Sequence, residues 1–379
     1  MSLASERKEV YLQERRNREE GILNGIPLYY TFPKLGSIIR TIPKGYPILW
    51  TANSGVGKTQ SWMAIIIYTL YKLWKEHPEL STNIKVVVAL LEDTEKMFID
   101  RLYSLLFFEL FQIVIEADDL HARKPELLPL DVIKKYDDVG KEVDFILDKC
   151  EIIDSVYNPT GLYKWARTIS NKYGEHKEKK VTFTDEFGNQ EEKSIYSHYV
   201  PYDENMQVLM IVDNLNNLSN EMMEGRMLDD RQTINLWTRR YCRLQITKHW
   251  NWSIINILQQ ASDSEKPQFD YKGNSIVDKL KPSLDGLGNS KECQRDHFLI
   301  VGLFAPARYG VERYNKFDIT KYGDNFRSLT ILKSNLSPTN IEIPFYFNGA
   351  CSLMRELLIP GGIIDTTYEE ITQQLYDKR

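Results

Sequence analysis

The most constraining feature of this chain is a series of continuous apolar runs: "YPILW" (46–50), "IKVVVALL" (84–91), "EIID" (151–154), "VLMIVD" (208–213), "SIINIL" (253–258) and "HFLIVGLF" (297–304). A strand with one face in water alternates apolar and polar residues. Runs without alternation read as strands covered on both faces, as in a parallel sheet. Helical stretches at 59–75, 94–117 and 228–249 separate many of them, and that order predicts an α/β fold with a mostly parallel central sheet. Two later runs, "RSLTILK" (327–333) and "IEIPFYF" (341–347), alternate more and flank the turn-rich "SNLSPTN". They predict an antiparallel hairpin on the sheet edge. The polar segment 175–199 is expected to be a surface hairpin turning near Gly188 and Asn189.

Composition narrows the function classes. At 379 residues, 42% apolar and 27% charged, the chain suits one large domain with additions or two smaller ones. A net charge of -5 argues against a polybasic nucleic-acid coat but leaves room for a local basic groove. Cys150, Cys242, Cys293 and Cys351 are widely spaced with no CxxC pair, which speaks against structural zinc and for a reducing, cytoplasmic setting. The charged opening "MSLASERKEVYLQERRNREE" does not read as a secretory signal. It is expected to form a short helical arm that either frays or packs on a neighbouring subunit. The greasiest stretch, 102–117, carries Glu109, Gln112 and Glu116 and falls short of a membrane span, so a buried helix is expected there.

The stretch "WTANSGVGKT" (50–59) lies between the first apolar run and a helical pattern. A glycine-rich turn in that place lets backbone N–H groups face phosphate oxygens, with a lysine to neutralise charge and a hydroxyl to hold magnesium. Ala52, Asn53, Ser54, Gly55, Val56, Gly57, Lys58, Thr59 and Gln60 are therefore the expected nucleotide cradle, with Lys58 on the phosphates and Thr59 as a magnesium ligand. Ala52 stands where the strict pattern has glycine, and a small residue serves there. Asp213 closes a buried run and suits the magnesium carboxylate; a cap for the next element is the alternative. Glu92 and Asp93 follow another core run, where carboxylates can also stabilise a helix N-terminus.

With these motifs in order, the chain resembles the ATPase domain of DnaB-like replicative helicases, within the RecA-like P-loop NTPase group that includes RadA and KaiC proteins. The leader "GIPLYYTFPKLGSIIRTIPKG", the pair Leu91-Glu92, "DNLNNL" from Asp213, and "DDRQTINLWTRRYCRLQITKHWNWSIINILQQ" carry the likeness over roughly residues 21–350. The resemblance implies Glu92 as catalytic base and Gln259, neighboured by Gln260, as γ-phosphate sensor. It also implies ATP and Mg2+ as ligands, a homo-oligomeric, hexameric ring, single-stranded DNA as track, and primase or other replication proteins as partners. The domains implied are an arm at 1–24, a RecA-like ATPase domain at 25–355 with a helical insert about 103–148 and the hairpin about 175–199, and a tail at 356–379.

The chain departs from the family in three places. A neighbouring subunit normally inserts a Lys-x-Arg pair into the ATP site; here Lys333 is matched but Asn335 replaces the arginine. An arginine finger contributes roughly 10³–10⁵ in turnover, so either Lys333 suffices, Arg327 or Arg308 substitutes, or hydrolysis is poor. In the DNA-facing loop at 281–296 the family's arginine and glutamate are replaced by Gly286 and Leu287, leaving Lys279, Lys281, Gly288, Asn289 and Lys291 as candidate DNA contacts. The separate N-terminal domain that recruits primase has no counterpart before the arm. A compact, phage-like replication module, in host cytoplasm if viral, fits that pattern. The activity implied is ATP-dependent DNA translocation and unwinding. The alternatives are a RadA- or KaiC-like recombination or regulatory ATPase, and a nucleotide-binding assembly platform with little hydrolysis. A small-molecule kinase would need a lid with clustered arginines, which the sequence does not show.

Overall fold

The apolar runs become the strands of a single nine-stranded sheet: β1 (Pro47–Ala52), β2 (Ile84–Leu90), β3 (Cys150–Ile153), β4 (Gln207–Asp213), β5 (Ser253–Gln259), β6 (Leu299–Phe304), β7 (Phe326–Ser334), β8 (Glu342–Asn348) and β9 (Leu353–Glu356). Their order is β9-β8-β7-β6-β1-β5-β4-β2-β3. The six strands from β6 to β3 run parallel, and β7, β8 and β9 continue the sheet antiparallel. The computed structural model describes residues 3–19, 25–78, 83–184, 190–261, 277–290 and 292–358.

The continuous apolar runs follow from burial on both faces. All of β1 and β4 is buried. Alternate residues feed two different cores, because successive side chains of a strand point to opposite faces. Ile48, Trp50, Val86, Val88, Leu209 and Ile211 pack with Trp62, Ile66 and Leu70 of the helix that follows β1. Leu49, Val87, Met210 and Ile254 pack instead with Ile169, Trp237, Ile246 and Trp250 on the other face. Truncating a large side chain in such a two-sided core costs about 2–5 kcal/mol.

The antiparallel edge is larger than the hairpin expected from sequence. A third strand, β9, pairs with β8, and it is too short and too polar at its end to register as a run. Glu356, assigned to the tail by sequence, closes this strand. Its carboxylate accepts backbone N–H bonds from Lys34 (2.8 Å) and Leu35 (2.6 Å), so the described chain is still tied to the body at this point.

Three helices differ in detail from the sequence pattern. The helix after β1 starts at Lys58, passes through a π-helical stretch at Met63–Ile67 and ends at Glu76. The one after β2 spans Glu95–Phe111, begun by Thr94 accepting from the Met97 N–H and stopped by Gln112 at φ 58°. It therefore ends short of 117, and the β-branched Ile113, Val114 and Ile115 that follow favour extended backbone. The third begins with a reciprocal capping box between Asp229 and Gln232, and most of it, Leu236–Thr247, is π-helical.

The insert after the second helix contributes short helices at Ala117–Leu120 and Leu130–Ile133 and a longer one at Tyr136–Leu147. The polar hairpin is present as arms Gly174–Thr184 and Gln190–Pro201, in antiparallel register; Gly188 and Asn189 lie outside the described residues. Its base is pinned to the body: Ser170 Oγ meets His176 Nε2 at 2.6 Å, and the Tyr199 hydroxyl donates to the Ser170 carbonyl at 3.0 Å. The arm is helical over Leu3–Glu19, with Val10, Tyr11 and Leu12 exposed. All four cysteines are free. Among the described residues no group of three or more His, Cys, Asp or Glu side chains could hold a metal, and no helix is long and apolar enough to cross a membrane.

Candidate nucleotide-binding site

The loop from Ala52 to Lys58 leaves the central strand at the carboxyl end of the parallel sheet, where open α/β sheets form their ligand crevices. Gly55 and Gly57 have φ of +67° and +95°, a region that only glycine enters without strain. Space requires glycine at 57 as well, where a Cβ would stand 2.5 Å from Phe347 Cζ.

The loop is braced from several directions. Arg327 in β7 donates Nε to the Val56 carbonyl at 2.8 Å and Nη1 to the Asp324 and Phe326 carbonyls at 2.6 and 2.9 Å. Its guanidinium lies 4.5 Å over the Phe347 ring. Trp50 Nε1 donates to Ser61 Oγ at 3.0 Å, and that hydroxyl donates to the Lys58 carbonyl at 2.6 Å. Asn53 Nδ2 donates to the Tyr309 hydroxyl, while Asn53 Oδ1 is buried with no partner. Lys58, the first residue of the helix, is buried.

Asp213 closes β4, and its carboxylate meets the loop directly. Oδ2 accepts from Thr59 Oγ1 at 2.7 Å and from Trp62 Nε1 at 2.8 Å. Oδ1 is buried and has no partner. Burial holds this carboxyl above the usual carboxylate range, against the two donors; the charges of Asp93 and Glu92 push the same way. A divalent cation fits this arrangement. The Thr59 hydroxyl aims its single proton at Asp213, which leaves its lone pairs for a ligand, and an orphaned carboxylate oxygen lies beside it. Thr59 and Asp213 are the residues that would hold magnesium.

Glu92 is one residue beyond Leu91 on the neighbouring strand end. It is exposed, and Oε2 accepts from Asn214 Nδ2 at 3.1 Å. Asp93 pairs with Arg101 of the following helix, and Leu90, two residues before Glu92, is the partner of Asp213 across β2 and β4. Strand order, rather than proximity in sequence, brings these groups together.

Gln259, the expected γ-phosphate sensor, closes β5 beside Ala52. The Gln259 backbone N–H donates to Asn216 Oδ1 at 2.8 Å. It is the Gln260 side chain that links the loop strand to the distal segment: Nε2 donates to Thr51 Oγ1 (3.0 Å) and the Ser283 carbonyl (3.2 Å), and Oε1 accepts from the Ser283 N–H (3.3 Å). Gly286 packs so tightly on Gln260 Oε1 that a Cβ there would collide. The sequence "QQ" carries no signal of which residue makes these contacts.

The candidate DNA contacts divide. Lys279 is exposed. Lys281 pairs with Glu342 at 2.9 Å and lies 4.9 Å over the Tyr314 ring, so its charge is neutralised within the chain. Gly288 and Asn289 lie in the 3-10 stretch Asp285–Ser290; Lys291 lies outside the described residues. Leu287 is buried in the second core, which explains an apolar residue where the resemblance implied a charged one.

Lys333 is likewise engaged by its own chain. Its amine donates to the His297 carbonyl at 2.7 Å and to the Gln294 carbonyl, and burial lowers its pKa. Asn335 is exposed. Arg327, considered as a substitute finger, is 1% exposed and bound to its own P-loop, so it is a brace. Arg308 is exposed and its guanidinium lies against Gly55, on the same subunit's loop. Trp62 and Phe347 were not singled out from sequence, because each reads there as an ordinary core aromatic.

No protein-family model and no curated protein sequence matches the chain. Solved structures do. The ATPase domain of the G40-P protein superposes with a TM-score of 0.62 at 14% identity, covering 94% of this chain and 100% of that one. A DnaB-like replicative helicase, solved in a study of its interactions with primase, superposes with a TM-score of 0.63 at 16% identity, covering 91% of this chain and 66% of that one. The chain therefore has the RecA-like fold of the ATPase domains of DnaB-like replicative helicases.

Proposed function

We propose that this chain is a magnesium-dependent ATPase that works as a ring-forming motor on single-stranded DNA and separates duplex ahead of it. The observation that carries the ATPase half is the 2.7 Å bond between Thr59 and Asp213, which joins the phosphate loop to a buried carboxylate on a different strand. Magnesium bound there would neutralise charge on the β- and γ-phosphates and draw it off the leaving oxygen. Lys58 adds a fixed positive charge at the helix start. The Asn214 amide holds Glu92 beside Asp213, from where its carboxylate orients water and takes up a proton. Gly55 and Gly57 let the backbone approach the phosphates closely.

The DNA half rests on the fold and on one connection. Gln260 ties Thr51, next to the phosphate loop, to Ser283 and Gly286 in the segment that also carries Lys279. A change in the loop on loss of γ-phosphate reaches that segment through a single side chain. Residues at the ATP site that come from a second subunit, oligomeric state and replication partners belong to the same proposal.

One observation favours the platform reading: Lys333 is bonded to its own chain and Asn335 carries no charge. Unwinding of a forked DNA duplex with ATP and Mg2+ separates the two. The motor reading expects strand separation that Lys58→Ala abolishes. Nucleotide-dependent assembly without strand separation or turnover would overturn it in favour of the platform.

A further inference from the structure

The tightest polar contact of the magnesium carboxylate besides Thr59 comes from a residue with no assigned role. Trp62 lies one helical turn beyond Lys58, is wholly buried, and stacks near-parallel on Phe98 with ring centroids 6.0 Å apart. That stack fixes the indole plane, and Nε1 points at Asp213 Oδ2 at 2.8 Å. An indole N–H donates and cannot accept. Two donors, Trp62 and Thr59, therefore converge on one oxygen, and the other, Oδ1, is left buried and unpartnered.

The geometry points to Trp62 as a positioning residue that fixes the rotation of the Asp213 carboxylate, so that Oδ2 faces the helix and Oδ1 is presented to magnesium. The inference rests on the reading of Thr59 and Asp213 as the magnesium residues. Without the indole donor, the carboxylate has a single protein contact, through a hydroxyl that a cation would also engage. Its two oxygens then become interchangeable, and metal binding has to restrict a rotation that Trp62 has already restricted. A phenylalanine keeps an aromatic ring against Phe98 and removes the N–H together with part of the indole volume. A charge-assisted hydrogen bond of this kind is worth about tenfold in a binding constant.

The test is ADP affinity of the full chain, measured by calorimetry with Mg2+ and with EDTA. Trp62→Phe is expected to leave metal-free ADP affinity within about twofold and to reduce the magnesium-dependent gain by about tenfold. Trp62→His, which returns a ring N–H, is expected to recover part of that gain. An unchanged magnesium-dependent gain in Trp62→Phe would overturn the positioning role and leave the nucleotide-site reading standing. Absence of ADP binding by the unaltered protein would overturn both.

If Trp62→Phe does not fold, 15N labelling of the seven tryptophan indoles in the unaltered protein answers the question. Mg2+ADP and Asp213→Asn are expected to shift the same indole N–H resonance. Perturbation of different resonances, or of none, would overturn the inference.

Discussion

The two ends of the central sheet, the carboxyl end that carries the candidate site and the opposite end where β7 stops beside the start of β6, are built in opposite ways. On one side Thr59, Asp213, Trp62 and Glu92 come from three adjacent elements and converge through short bonds around one orphaned oxygen. On the other side, the end of β7, Lys333 turns inward to two carbonyls and Asn335 faces solvent. The first side is complete within one chain, because the parallel sheet brings the ends of β1, β4 and β2 to one edge. The second keeps the Lys333 amine on carbonyls of its own chain. Under the proposed function, one chain binds nucleotide through the first side, and any group that accelerates hydrolysis from outside the chain is supplied by a second subunit.

The largest expected effect lies on the first side. Glu92→Gln keeps the shape and the Asn214 contact but removes the base. Turnover should fall by ~10²–10⁴ with nucleotide affinity within about twofold, read by phosphate release beside equilibrium binding. Equal losses in both would mean that Glu92 binds rather than acts.

Next comes the brace of the phosphate loop. Arg327→Met removes the donors to Val56, Asp324 and Phe326, leaving a P-loop carbonyl unsatisfied. Urea unfolding should show a loss of about 3 kcal/mol, with weaker nucleotide binding. A stability loss below about 1 kcal/mol would show the loop to be held without it.

The second side should also respond to acid. His297 is fully buried, receives Asn256 Nδ2 at Nε2 (2.9 Å), and contacts the Cys293 carbonyl through Nδ1 (2.7 Å). Burial lowers its pKa to about 4. A lowered histidine pKa gives stability that is present above its ordinary value of 6.5 and is lost as pH falls toward about 4. The loss amounts to at most about 3 kcal/mol. His297→Gln should flatten the stability profile across that window; an unchanged profile would place the acid sensitivity elsewhere, with His176 the next candidate.

The smallest effect expected is for Lys333→Ala. Loss of its two carbonyl contacts should lower stability by about 1–2 kcal/mol and change turnover less than about threefold. A loss of turnover near 10³ would instead give Lys333 a role at a neighbouring site and erase the contrast between the two sides.

Much of the first side was legible in the sequence, for a physical reason. Covered parallel strands leave unbroken apolar runs, and the residues that end them, such as Asp213 and Leu91-Glu92, stand out against the run. The P-loop adds glycines whose left-handed backbone nothing else tolerates. The second side was not legible. That Lys281 pairs with Glu342, 61 residues away, and that Lys333 donates to the His297 carbonyl depend on partners distant in sequence. No local pattern records that. Trp62 was hidden differently: an aromatic on a buried helix face looks like core, and only its 2.8 Å contact with Asp213 shows a polar role. Gln112 ended a helix whose apolar pattern continued, since a left-handed residue leaves no trace in hydrophobicity.

ATP turnover with and without single-stranded DNA, with Lys58→Ala as the control, is the most direct test of the motor reading. Stimulation by DNA of about tenfold or more, abolished by Lys58→Ala, is the expected result. Nucleotide binding with turnover that DNA does not change would contradict it, and would make this chain an ATP-bound platform built on a helicase fold.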